Sequence, residues 1–180
     1  MGGGDKGLVE LRGKPLIEHA LAALSPQVNA VIINANRNRD RYAVYGHPVV
    51  ADSRQGYQGP LAGMLSCLQA AKTEFMVSVP CDSPLLPDDL VARLFRQLSD
   101  EEAEISVAHN GHRIQPVFTL MPASLAPSMQ AFLDGGGRKI DRWFEQHKLA
   151  VTDFSDNPDS FRNINNPAEL AQMEKSGFNA

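Results

Sequence analysis

Cysteine is scarce in this chain, and so are runs of like charge. The 180 residues include two cysteines, Cys67 and Cys81. Their separation fits neither a zinc knuckle nor a paired redox motif, so we expect two reduced thiols. Lysine and arginine total 17 against 21 acidic residues, which gives a formal net charge of -4. Because no basic run of five residues is present, the sequence gives little support to a nucleic-acid-binding surface.

Long apolar runs are also lacking. No stretch approaches the about 20 apolar residues that a membrane-spanning helix needs. The chain opens on Met1-Gly2-Gly3-Gly4 without an apolar leader, so we expect a cytoplasmic protein with no membrane partner. The apolar residues that are present make up 43% of the chain, enough for one sizeable core. A length of 180 residues is typical of a single domain, predicted here to span residues 1–180.

Strand and helix patterns alternate through the first hundred residues. Strands are predicted at residues 30–33, 49–51 and 75–79. Between the last two, Leu61–Leu68 carries apolar residues at the spacing of an amphipathic helix. This alternation predicts an α/β fold: a three-layer, Rossmann-like arrangement of a mostly parallel sheet with helices on both faces. The C-terminal part is less regular, with two strands expected around a hairpin turn at Asn110-Gly111.

A polar residue follows each of the three predicted strands. Asn34, Asp52 and Asp82 occupy these positions. Parallel neighbours would bring the three side chains to one carboxyl edge, where open α/β sheets bind their ligands. Turn formation is the commoner role of Asn34 and Asp52. Their alignment with Asp82 favours instead a site for a metal and a nucleotide.

Asp82 is unusual because it comes almost directly after a buried strand. A desolvated carboxylate is costly unless it is paired or binds a metal. Mg²⁺ takes one or two carboxylates together with phosphate oxygens and water. The sequence therefore favours Asp82 as a Mg²⁺ ligand, and the alternative is a carboxylate that caps the turn between Pro84 and Pro87.

The glycine-rich start of the chain offers flexible backbone amides and one ammonium group, that of Lys6. Such a segment can cradle phosphate. It matches neither a Walker A loop nor a dinucleotide fingerprint. Taken alone, it is also typical of a disordered tail.

Five short motifs occur along the chain in a fixed order. They are Met1-Gly2-Gly3-Gly4-Asp5-Lys6-Gly7, Gly13-Lys14-Pro15-Leu16, Gly59-Pro60-Leu61-Ala62-Gly63, Pro80-Cys81-Asp82-Ser83-Pro84 and Asn163-Ile164-Asn165-Asn166-Pro167. In this order they resemble the molybdenum cofactor guanylyltransferases, a nucleotidyltransferase-like family, from residue 1 to about Leu170. The N-terminal Leu-Ala-Gly-Gly loop of that family, and the strand before it, are absent from this chain.

This resemblance implies a nucleotide-diphospho-sugar transferase-like fold and a reaction. GMP passes from GTP to molybdenum-loaded molybdopterin, which yields molybdopterin guanine dinucleotide and pyrophosphate. Residues 1–100 would form the nucleotide-binding part and residues 101–180 the acceptor-binding part. The implied partners are GTP, molybdopterin, and proteins of molybdenum insertion and molybdoenzyme maturation.

The resemblance also implies roles for individual residues. Lys6 matches a lysine that contacts the GTP phosphates, and Asp82 matches the Mg²⁺ ligand, so these two are the expected catalytic groups. Asn34 and Asp52 match nucleotide-binding positions, which makes GTP ligands of all four residues. Two asparagines fall near the acceptor side, Asn163 and Asn165. Without the missing loop, we expect residues 1–7 to be poorly held when no nucleotide is bound.

Two other functions stay open on the sequence alone. One is a related nucleotidyltransferase that uses CTP or a different acceptor, although Ser83 stands where the cytidylyl branch more often has Gln. The other is a non-catalytic protein that binds a nucleotide or a pterin, since the N-terminal loop is missing. A titration with GTP, CTP and ATP would separate these alternatives.

Overall fold

The computed structural model describes residues 5–53 and 59–175. The strands are Glu10–Leu11 (β1), Lys14–Pro15 (β2), Ile33–Asn34 (β3), Val49–Val50 (β4), Phe75–Ser78 (β5), Ile105–His109 (β6), Ile114–Pro122 (β7) and Leu149–Asp153 (β8). The helices are Leu16–Leu24 (α1), Arg39–Ala43 (α2), Pro60–Ala70 (α3), Leu90–Asp100 (α4), Ala126–Asp134 (α5), Ile140–Phe144 (α6) and Pro167–Lys175 (α7). None of the described helices is long and apolar enough to cross a membrane.

A four-stranded sheet in the order β5-β7-β6-β8 forms the centre of the fold. β6 and β8 are parallel, whereas β7 is antiparallel to both of its neighbours. Three of the four strands therefore run in one direction, as expected for a mostly parallel sheet, and β7 is the antiparallel strand that the hairpin turn at Asn110-Gly111 predicts. The reversal follows from the tight turn between β6 and β7, where the Asn110 amide accepts a hydrogen bond from Arg113 N at 3.0 Å. A turn this short can join only antiparallel strands.

The strand pair β3–β4 forms a separate parallel sheet. The sequence predicted that β5 lies beside β3 and β4 as a parallel neighbour. This prediction is wrong for residues 5–53 and 59–175, in which β5 forms strand hydrogen bonds only with β7. The resemblance places a further strand centrally in the sheet, and no strand of the described residues joins the two sheets. The carboxyl ends of β3 and β4 still lie together, as predicted.

Helices cover both faces of the central sheet, as predicted. On one face, α3, α5 and α6 pack a cluster that includes Leu65, Met129 and Trp143 against β6 and β7. On the other face, α1 and α4 contribute Leu24 and Leu94 to a second cluster. Alternating side chains of β6 and β7 enter the two clusters in turn, since successive strand residues point to opposite faces. Residues of β5 pack into both clusters, which fixes the position of the strand that leads to Asp82.

Candidate functional site

The ammonium group of Lys6 joins three distant parts of the chain. Lys6 Nζ donates to Asp82 Oδ2 at 3.0 Å and to Asn165 Oδ1 at 2.7 Å. The second contact spans 159 residues of sequence. Asp82 is only 7% exposed, so its carboxylate gains a charge partner in a largely desolvated position. Lys6, Asp82 and Asn165, all predicted site residues, thus form one cluster.

The loop after β5 is bound to the segment that carries the acceptor-side asparagines. Ile164 N donates to the backbone oxygen of Asp82 at 2.8 Å. Ser83 Oγ donates to Asn163 Oδ1 at 2.5 Å. Asn163 therefore lies beside the Lys6 cluster, although its own side chain contacts Ser83. Sequence reasoning used Ser83 only to separate branches of the family and missed this contact.

The start of α7 fixes the backbone of Asn165. Glu169 Oε2 accepts a hydrogen bond from Asn165 N at 2.6 Å, and Glu169 N donates to Asn166 Oδ1 at 2.9 Å. The Asn166 side chain thus caps the N-terminus of α7. The backbone hydrogen bond from Asn165 lowers the pKa of Glu169 below its ordinary value. The helix start thereby helps to orient Asn165 toward Lys6.

Asn34 and Asp52 form a second cluster at the ends of β3 and β4. Asn34 Nδ2 donates to Asp52 Oδ1 at 3.0 Å. Asn36, which sequence reasoning missed, donates from Nδ2 to Asp52 Oδ2 at 2.9 Å and accepts from Asp52 N at 2.8 Å. Its signal was available, because residues two apart in an extended segment face the same side. The side-chain amides of Asn34 and Asn36 thus hold the Asp52 carboxylate in one orientation.

Gly63 allows helix α3 to approach this second cluster. A Cβ atom at Gly63 would lie 2.3 Å from Asn34 Oδ1 and 3.4 Å from Asp52 Oδ1. The first distance is far inside van der Waals contact, so any side chain at Gly63 must displace Asn34. The absence of a side chain at Gly63 in the Gly59–Gly63 motif therefore has a steric explanation.

Asp5 and Tyr42 hold the segment around Lys6. Tyr42 OH donates to Asp5 Oδ1 at 2.5 Å, and Asn38 Nδ2 donates to Asp5 Oδ2 at 3.0 Å. Gly7 is buried against Tyr42. The expectation that this segment is poorly held is wrong for residues 5–7, because side-chain hydrogen bonds and burial hold it in place. Residues 1–4 lie outside the described part of the chain.

The Lys6 cluster contains two oxygen donors that could face a cation. Among the described residues, no group of three or more His, Cys, Asp and Glu side chains could hold a metal ion by itself. Asp82 and the amide oxygen of Asn165 supply hard oxygen donors on either side of Lys6. Such a set fits Mg²⁺, which needs few protein ligands when phosphate and water complete its coordination.

Comparisons with known proteins show the family to which the chain is similar. Residues 1–150 match the family described as MobA-like NTP transferase domain. The chain is 50% identical over 173 residues to the molybdenum cofactor guanylyltransferase of Shewanella halifaxensis, covering 96% of this chain and 86% of the relative. It is 51% identical over 176 residues to the enzyme of the same name from Shewanella woodyi, covering 98% of this chain and 90% of the relative.

Solved structures support the fold. The molybdopterin-guanine dinucleotide biosynthesis protein A of Archaeoglobus fulgidus superposes with a TM-score of 0.79 at 21% identity, over 96% of this chain and 90% of that one. The 2-C-methyl-D-erythritol 4-phosphate cytidylyltransferase of Thermus thermophilus gives a TM-score of 0.72 at 15% identity, over 94% and 92%. These similarities confirm the predicted nucleotide-diphospho-sugar transferase-like fold.

Proposed function

Because the chain belongs to the molybdenum cofactor guanylyltransferase family, we propose that it transfers GMP from GTP to molybdenum-loaded molybdopterin. The products are molybdopterin guanine dinucleotide and pyrophosphate. The observation that carries this proposal is the convergence of Lys6, Asp82 and Asn165, which come from three separate motifs of the family. Family membership fits guanylyl transfer, not the CTP-dependent or non-catalytic alternatives.

The proposed chemistry requires no nucleophile from the protein. A terminal phosphate oxygen of molybdopterin attacks the α-phosphorus of GTP, and the bond from that phosphorus to the pyrophosphate oxygen breaks opposite. Catalysis then consists of positioning and charge neutralisation. The ammonium of Lys6 donates to phosphate oxygens and offsets the negative charge that develops on the leaving group.

Asp82 and the amide oxygen of Asn165 are the groups that would hold Mg²⁺ in this site. The ion would supply positive charge at the phosphates of GTP. In the ligand-free arrangement Lys6 neutralises Asp82 at 3.0 Å. We propose that Lys6 turns from this carboxylate to the phosphates when the nucleotide binds. Its side chain is 43% exposed, which leaves room for that rotation.

The remaining predicted residues divide between the two substrates. We propose that residues 1–100 bind GTP, with Asn34 and Asp52 as nucleotide ligands; Asn36 holds Asp52, and Gly63 leaves room for Asn34. We propose that residues 101–180 bind molybdopterin. Asn163 and Asn165 lie beside Asp82, so the acceptor phosphate would meet the nucleotide at this boundary.

The cellular setting is part of the proposal. Both cysteines of the chain lie among the described residues, and both are free thiols. This agrees with a reducing cytoplasm. We further propose that the acceptor comes from proteins of molybdenum insertion and that the product passes to proteins of molybdoenzyme maturation.

Nucleotide choice tests the proposed function directly. We expect calorimetric titration in Mg²⁺ to show at least about tenfold tighter binding of GTP than of CTP or ATP, because a site that pairs with one base leaves polar groups unpaired with another. Pyrophosphate release should require molybdopterin as well as GTP. Equal affinity for GTP and CTP would remove the guanylyl assignment, and binding without turnover would favour the non-catalytic alternative.

A methyl group at Gly63 should weaken nucleotide binding through Asn34. We expect Gly63→Ala to lower GTP affinity about tenfold, since one displaced polar contact is worth about 1–2 kcal/mol. The melting temperature should not fall in proportion, because alanine is favoured over glycine within a helix. Affinity and melting temperature are measured on the same samples.

The matched control introduces Gly63→Ala into a protein that already carries Asn34→Ala. If Gly63→Ala acts by displacing Asn34, it should change GTP affinity no further in that background. An equal additional loss there would show that Gly63 acts by another route.

A further inference from the structure

Both residues that flank Lys6 lie against one side chain, that of Tyr42, which hydrogen-bonds to Asp5 and packs closely on Gly7. On one side, Tyr42 OH donates to Asp5 Oδ1 at 2.5 Å. On the other side, Gly7 is so close that a Cβ atom there would lie 2.5 Å from Tyr42 OH and 3.2 Å from Cys81 Sγ. The backbone of Lys6 thus lies between two residues that contact Tyr42, while its side chain reaches Asp82 and Asn165.

Tyr42 is itself immobilised. It is 4% exposed and packs in a cluster with Ile17, Ile33 and Ala35. Burial and then the hydrogen bond to Asp5 raise the pKa of Tyr42 above its ordinary value, so the phenol remains a donor. Asn38 provides a second donor to Asp5, from the residue that precedes α2. The anchor therefore combines a buried tyrosine with an exposed hydrogen bond from Asn38.

We infer that Tyr42 and Asp5 are positioning residues that hold Lys6 over the phosphates of the nucleotide. The inference rests on the proposed function, because it assigns a purpose to the placement of Lys6 in that reaction. A lysine side chain has several rotatable bonds and loses much entropy when it is held in one place. Fixing its backbone in advance lowers the entropy that binding must remove, and misplacement of a catalytic group is expensive.

The anchor also links the two clusters of the site. Tyr42 and Asn38 lie in the segment that directly follows Asn34 and Asn36, the residues that contact Asp52. One short segment, residues 34–42, thus determines both the nucleotide ligands at the ends of β3 and β4 and the position of Lys6. A substitution that loosens Tyr42 should affect the phosphate end while the Asn34–Asp52 contact persists.

Removal of one hydroxyl tests the inference, with a matched control close by. Tyr42→Phe removes only the hydroxyl group that donates to Asp5 and leaves the aromatic ring in place. We expect kcat/KM for GTP to fall about tenfold, the value of a typical hydrogen bond to a charged group. Tyr45→Phe is the control, since Tyr45 OH donates to a carboxylate oxygen of Glu18 at 3.2 Å and packs against the same cluster. It should leave kcat/KM unchanged.

A double substitution separates positioning from a structural role. In Lys6→Ala, adding Tyr42→Phe should change GTP affinity no further, whereas any effect on melting temperature should be the same in both backgrounds. Rescue gives a second check. Asp5→Asn keeps an acceptor for Tyr42 OH and should retain more activity than Asp5→Ala. Equal losses from Tyr42→Phe with and without Lys6 would overturn the inference.

The reactivity of Lys6 gives a readout that does not depend on turnover. In the ligand-free protein, an amine-acylating reagent is applied and labelling is measured by mass spectrometry against Lys72, which is exposed. We expect the ratio of Lys6 to Lys72 labelling to rise in Tyr42→Phe and to stay constant in Tyr45→Phe. A constant ratio in both would overturn the inference even if GTP is transferred as proposed. If the ratio of Lys6 to Lys72 labelling rises in Tyr42→Phe but the parent protein shows no GTP turnover, only the proposed function is contradicted.

Discussion

Asp82→Asn is expected to reduce turnover at least about 100-fold, the usual consequence of losing one electrostatic contact to the transition state. The substitution keeps the shape of the side chain and removes the charge that would hold Mg²⁺. The amide oxygen is a poor substitute, because the ion needs a carboxylate to compete with water. Turnover is measured as pyrophosphate release from GTP and molybdopterin.

The melting temperature separates this catalytic role from a structural one. The pair of Asp82 with Lys6 is half-exposed on the lysine side, and such pairs contribute little to stability. We therefore expect Asp82→Asn to melt close to the parent protein. If Asp82 instead caps the turn between Pro84 and Pro87, activity will be retained and stability lowered. Asp156→Asn, which breaks a pair with Arg93 at 2.9 Å away from the site, serves as the control and should not affect turnover.

Removal of the Lys6 ammonium is expected to have the second-largest effect. Lys6→Ala should lower kcat/KM by about 100-fold, because the phosphates lose a charge-assisted donor in the ground state and in the transition state. Both GTP affinity and the rate of transfer are measured. Lys6→Arg should restore only part of the loss, since a planar guanidinium does not reproduce a compact ammonium.

The melting temperature again separates a role of Lys6 in catalysis from a role in stability. The ligand-free Lys6→Ala protein should melt near the parent temperature, because the lysine side chain is 43% exposed. Lys72→Ala, a change at an exposed lysine, is the matched control and should leave activity intact. Normal GTP affinity in Lys6→Ala would contradict its proposed place on the phosphates.

The local elements of the fold were predictable because short-range chemistry specifies them. The apolar spacing in Leu61–Leu68 predicted the helix α3, and its leucines are buried as expected. Asn110-Gly111 predicted the hairpin. In each case, the residues that determine the structure lie within one or two turns of each other.

The pairing of strands and the supports of the site were not predictable in the same way. The separation of β3–β4 from the central sheet depends on which strands find partners, and no local pattern encodes that choice. The contact of Tyr42 with Asp5 joins residues 37 apart in sequence, and neither residue type alone signals it. The site residues themselves emerged from an ordered set of motifs, since a lone lysine after glycines predicts a mobile tail.

The hydrogen bonds of Lys6 have a consequence for the folding of the protein during its synthesis. The ribosome adds Lys6 well before Asn165, its partner 159 residues later in the chain. A growing chain therefore exposes Lys6 and Asp82 before the segment that completes their cluster has emerged. Contacts of such long sequence separation form late, because closing the loop is unfavourable until the core is in place. A nascent chain can therefore begin to bury its sheet and helices while the cluster of Lys6, Asp82 and Asn165 is still open.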